Sequence, residues 1–69
     1  MQWLKDFNEV LDHIESGWRG MVSLPQLRRQ YGPDFTTNTV KRYIANNRPK
    51  LEVYKHGRYG WCVGRKTGE

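Results

Sequence analysis

A single cysteine, Cys62, leaves no partner for an intramolecular disulfide and no cysteine set to hold a zinc ion. Such usage suits a reducing, cytoplasmic or nucleoid-associated setting. Long apolar runs are missing too: nothing approaches the roughly 20 residues that a membrane-crossing helix needs. The opening "MQWLKDFNEVLDHIES" carries four acids where a secretory leader requires an uninterrupted apolar segment, so no leader is expected. Two histidines, no glycine-rich phosphate loop and no convergent serine–histidine–acid pattern leave little with which to do chemistry. Catalysis is therefore not expected, and neither is a cofactor, a metal ion or a small-molecule substrate. A chain of 69 residues is expected to form one domain that buries only about 60% of its unfolded surface. That allows one core and little depth for a pocket.

Acidic charge is scarce in most of the chain. Residues 1–16 carry Lys5 against Asp6, Glu9, Asp12 and Glu15, a net −3. The remainder carries the other eleven bases against Asp34, Glu52 and Glu69, a net +8. Between Thr36 and Leu51 there is no acid at all. Solubility would account for a modest net charge, but segregation of this kind points to a polyanionic partner met from one side.

What is present falls into clear periods. Trp3, Leu4, Phe7, Val10, Leu11 and Ile14 form one apolar stripe at helical spacing, and Gly17 is placed to end that helix in a left-handed cap. The four acids of this helix read as a solvated outer face, and His13, at the border of the stripe, as structural. Met21 and Val22 read as a short strand. "VSLPQL" then opens a second helix, with Ser23 as N-cap, Gln26 completing a capping box and Val22 stapled to Leu27. Gly32-Pro33 ends it. The same syntax returns with Phe35, the N-cap Thr36 and Val40, and the third helix stops at Pro49. Val40, Tyr43, Ile44 and Asn47 fall on one side of it; Asn38, Lys41, Arg42 and Ala45 lie opposite.

The tail "LEVYKHGRYGWCVG" alternates. Leu51, Val53, Tyr59, Trp61 and Val63 share a face if a three-residue loop with a left-handed Gly57 joins two strands. In that register Cys62 is a small buried hydrophobe, Trp18 and Trp61 belong to the core, and Tyr54 points away as the aromatic most exposed for contact. The domain is expected over residues 1–64, with residues 65–69 as a flexible basic tail.

Helix, short strand, helix, turn, helix and β-hairpin make an α+β order that resembles the winged helix-turn-helix superfamily over residues 2–64. The resemblance lies in element order and residue character rather than in an invariant motif, and it points to no particular subfamily. It implies that "TTNTVKRYIANNRPK", with a recognition helix over residues 37–48, enters the major groove of double-stranded DNA. It also implies that "YKHGRY", residues 54–59, is a wing against the neighbouring backbone.

The side chains are of suitable types. Lys41 and Arg42 match guanine O6 and N7, Asn38 matches adenine N6 and N7, and Ala45 lets the helix sit deep or touches a thymine methyl. Thr36 and Thr37, at a helix N-terminus, suit a phosphate oxygen. Arg48 extends the same acid-free face. Arg28 and Arg29 on the second helix, with Lys55, His56 and Arg58 in the wing, supply positioning charges.

Two uses of such a domain stay open, a sequence-specific transcriptional regulator and a shape-reading architectural protein. A protein–protein module that turns the same surface toward an acidic partner is the alternative. Pairing of two copies through the acidic first helix would double the footprint, with half-sites about 34–36 Å apart.

Overall fold

The computed structural model describes residues 2–66. It is a small α+β domain in which three helices lie with a three-stranded antiparallel sheet. The elements run α1 (Leu4–Ser16), β1 (Met21–Ser23), α2 (Leu24–Tyr31), α3 (Thr37–Asn47), β2 (Leu51–His56) and β3 (Gly60–Arg65). The sheet order is β1-β3-β2, so the last strand in the chain is the central one.

The stripe on α1 folds as its spacing dictates. Phe7, Leu11 and Ile14 are fully buried, and Gly17 ends the helix at φ +91°, its N–H donating to Ile14 O. An L side chain rarely adopts that conformation, which is why glycine stands there. Trp3 also enters the core, although its Nε1 finds no hydrogen-bond partner. Around it gather Phe7, Tyr31 and Phe35. Phe35 meets Trp3, Phe7 and Tyr31 at centroid distances of 4.8, 5.1 and 5.1 Å, each close to edge-on, the favoured arrangement of aromatic quadrupoles.

Directly opposed residues of an antiparallel sheet share a face. Val63 lies opposite both Val22 and Val53, and this row, with Leu51, closes the core beneath the helices. Cys62 is buried on the other face, between Ser23 and Tyr54. Gly64 belongs to that face too. A Cβ there would come within a tight 3.2 Å of the Gly20 carbonyl oxygen, while at 3.4 Å it would make ordinary contact with the Tyr54 ring, so it is the backbone of the α1–β1 connection that favours glycine at 64.

Several expectations are corrected. Ser23 makes no side-chain cap; Pro25 removes one of the N–H groups it would serve, and its hydroxyl instead reaches Tyr59 O over 3.5 Å. The hairpin loop does have three residues, 57–59, but the left-handed residue is Gly60 (φ +75°), where the strand resumes, and not Gly57. Tyr59 lies in that loop, half exposed, rather than on the apolar face. Tyr54 is half-buried, with its hydroxyl 3.1 Å from Met21 Sδ. Trp18 is 85% exposed, because it follows the Gly17 cap in a connection that no element covers. Arg65 belongs to β3, and Lys66 N–H donates to Lys50 O, so both are held to the sheet. The rest of the expected tail, residues 67–69, lies outside the described residues. Among the described residues no helix is long and apolar enough to cross a membrane.

Burial raises three acidic protons together. The Cys62 thiol is pushed above its ordinary 9.0, chiefly by burial. The Tyr54 hydroxyl is pushed above 10.0 by burial, then by Cys62 and Glu52. Tyr31 is raised by burial and Asp6, partly opposed by Arg19. Each group holds its proton more tightly folded than unfolded, so the stability it contributes is intact below its ordinary value and is lost as pH rises above it. The melting temperature is expected to be level from pH 7 to about 8.5 and to fall from about pH 9 upward. A melting temperature unchanged at pH 11 contradicts this.

Candidate nucleic-acid interface

The start of α3 is fixed by its own side chains. Thr36 Oγ1 accepts the Thr39 N–H at 3.3 Å and donates to Thr39 Oγ1 at 2.9 Å, a satisfied N-cap. The buried Phe35 and Val40 flank it in staple positions, and Ile44 continues the inward row. The inward row sets the outward one. Asn38, Lys41, Arg42 and Ala45 are all exposed, on the side of the helix away from Val40 and Ile44.

Arg28 and Arg29 stand exposed on α2. With Thr36, Thr37, Pro25 and Pro33 they line an open cleft of about 550 Å³ between α2 and the start of α3. The structure thus brings the two threonines and the two arginines to one cleft. On the hairpin, Lys55 and Arg58 are exposed and His56 is half-buried. His56 Nδ1 accepts the backbone N–H groups of Arg58 (3.0 Å) and Tyr59 (3.4 Å), so the imidazole folds the hairpin tip over itself. The rings of His56 and Tyr59 are 5.1 Å apart, and the Arg58 guanidinium lies 5.8 Å from the Tyr59 ring.

Arg48 is the residue that departs from this face. Its guanidinium turns back onto α1, with Nη1 donating to Asp12 Oδ1 (2.8 Å) and Glu15 Oε2 (3.0 Å) and Nη2 donating to Asn8 Oδ1 (2.7 Å). Tyr43 adds its hydroxyl to the same Asn8 oxygen at 2.9 Å. Burial works against the charge of Arg48, but the hydrogen bonds to Asp12 and Glu15 outweigh it and hold the pKa above its ordinary value. Two of the four acids on α1 are therefore partners of α3 and not merely a solvated face.

Among the described residues both ion pairs belong to Arg48. Arg28, Arg29, Lys41, Arg42, Lys55 and Arg58 thus carry no carboxylate partner there. Their charge faces outward from a surface with no acid on α3.

Trp61 packs against the core on the face of Val53 and Val63, as its alternation predicts, but it is only half-buried and its ring edges onto this surface, whereas Tyr59 is exposed in the loop. Lys41 Nζ lies 4.6 Å from the centroid of the Trp61 ring. The half-exposure of Trp61 follows from its place at the end of the row, where Lys55 of the hairpin lies directly opposite it. Comparison with family models, with curated proteins and with solved structures finds no match to this chain.

Proposed function

We propose that this domain is a winged helix-turn-helix that binds double-stranded DNA, with α3 in the major groove and the β2–β3 hairpin as a wing along the adjacent backbone. The observation that carries the reading is the outward row of Asn38, Lys41, Arg42 and Ala45, which holds no acid and, among the described residues, makes no ion pair. A solvated helix with no partner normally mixes both signs. With its side chains an α-helix is about 10–12 Å across, a diameter that fits a major groove about 12 Å wide. In this reading Arg28, Arg29, Thr36 and Thr37, around the cleft at the start of α3, hold phosphate, and Lys55 and Arg58 do so along the wing. The sheet order, with β1 paired to β3, further supports the winged-helix layout.

An amide-resolved NMR titration with a mixed-sequence duplex at two salt concentrations tests the reading. Shifts are expected on residues 36–45 and 54–59, and they are expected to weaken at higher salt. Arg42→Ala is expected to weaken binding by about 1–3 kcal/mol if Arg42 reads a guanine, and to relax preference at that base pair. A preferred sequence identifies a regulator; strong salt dependence without preference identifies an architectural protein. Shifts centred on α1, with none on α3, overturn the DNA reading in favour of a protein partner.

A further inference from the structure

We infer that Trp61 is a positioning residue: its ring sets where the Lys41 ammonium stands and so joins α3 and the wing into one binding surface. The inference rests on the DNA reading above. Three observations carry it. Lys41 is exposed on the outward row of α3, yet its ammonium lies 4.6 Å from the centroid of the Trp61 ring, within the range of cation–π attraction. Trp61 is only half-buried on β3, so the ring has a face to offer. It also lies directly opposite Lys55 of the wing. The indole thus lies between α3, whose Lys41 it holds, and the wing strand that carries Lys55.

The chemistry explains why this site takes an indole. A leucine on the same row would cover the core edge as well. It would not hold an ammonium, because it lacks the negative ring face that attracts one. A lysine head on a four-carbon stem otherwise samples many rotamers and loses that freedom when it meets a phosphate. Held against Trp61, Lys41 has lost part of it beforehand, and preorganisation of this kind appears as affinity.

The test combines a double-mutant cycle with a readout from the free protein. In the absence of DNA, ring current is expected to move the Lys41 Hε and Cε resonances upfield, and Trp61→Leu is expected to return them to random-coil positions. With a duplex, Trp61→Leu is expected to weaken binding about two- to fivefold, the fold-change equivalent to an exposed cation–π contact. Lys41→Met is expected to weaken it at least as much and to lower the salt slope by about one ion. In the Lys41→Met background, Trp61→Leu is expected to change nothing further, whereas in the Arg42→Ala background it keeps its full effect.

Trp61→Phe, which preserves apolar packing and offers a weaker ring face, is expected to fall between the wild type and Trp61→Leu. It carries the same cycle if the leucine variant does not fold. Additive effects of Lys41 and Trp61, or free-protein Lys41 resonances at random-coil positions, overturn the positioning role while leaving DNA binding standing. A wild-type protein that binds no duplex overturns the DNA reading itself, and the inference falls with it.

Discussion

Phe35→Ala is expected to leave the domain largely unfolded at 25 °C. Phe35 lies in the turn between α2 and α3, outside any regular element, so helix and strand propensities do not enter its effect. Its ring is fully buried and meets Trp3 and Phe7 from α1 and its lead-in, and Tyr31 from α2. Removing it takes away one side of three edge-to-face pairs and opens a cavity where α1 and α2 converge on the start of α3. Phenylalanine-to-alanine changes in cores cost about 3–5 kcal/mol. A domain of this length has only about 3–10 kcal/mol in total. The loss is therefore comparable to the whole stability. Thermal melts followed by circular dichroism, with amide dispersion in a ¹⁵N spectrum, check this. A cooperative melt within a few degrees of wild type contradicts the central place given to this ring. Phe35→Leu, which keeps most of the volume, is expected to cost only about 1–2 kcal/mol and to retain dispersion.

The second large effect is expected at Arg48, and it separates stability from binding. Arg48→Ala removes the two ion pairs and the bond to Asn8 that tie the end of α3 to α1. The Arg48 side chain is 18% exposed and Asp12 66%, so part of the gain is screened by water. About 1–2 kcal/mol remains after that discount, from hydrogen bonds to charged groups. For so small a domain this lowers the melting temperature by roughly 5–15 °C. Duplex affinity, measured well below that temperature, is expected to change little, because the guanidinium faces α1. Asp12→Asn in the Arg48→Ala background is expected to cost almost nothing more. If Arg48→Ala instead weakens duplex binding tenfold with an unchanged melt, the clamp is not where this side chain works.

Arg48 also marks the limit of what helical spacing can say. Its number places it on the row of Lys41 and Ala45, and the expectation of a contact to DNA followed from that row. The helix ends at Asn47, and Arg48, at φ −133° and ψ 75°, has already left the helical path. Its side chain then goes to the nearest carboxylates. The rest of the outward row was legible because Val40 and Ile44 leave only one side of α3 free. The same holds for α1, whose stripe has a single helical solution. Trp18 was less legible: hydrophobicity says that an indole gains by burial, but a connection beyond a left-handed cap offers it no cover. In the hairpin, loop length was legible from the alternation, whereas the choice between Gly57 and Gly60 as the left-handed residue depends on how the turn is wound. The clamp through Asn8 leaves no pattern in the sequence, since it joins residues 40 apart.

The place of β3 at the centre of the sheet has a consequence in time. It is the last of the six elements to leave the ribosome, yet both other strands pair with it and not with each other. Ser23 is paired with Cys62, so at ordinary elongation rates β1 waits roughly 2–8 s for its neighbour. During that interval Val22 has no Val63 row to close against, and once Leu51–His56 are made β1 and β2 are two bare edges on a nascent chain. The helices, whose contacts are local, can form and fray meanwhile. The sheet cannot begin until residues 60–65 are free, so cooperative folding follows the synthesis of residue 65 and does not proceed alongside it.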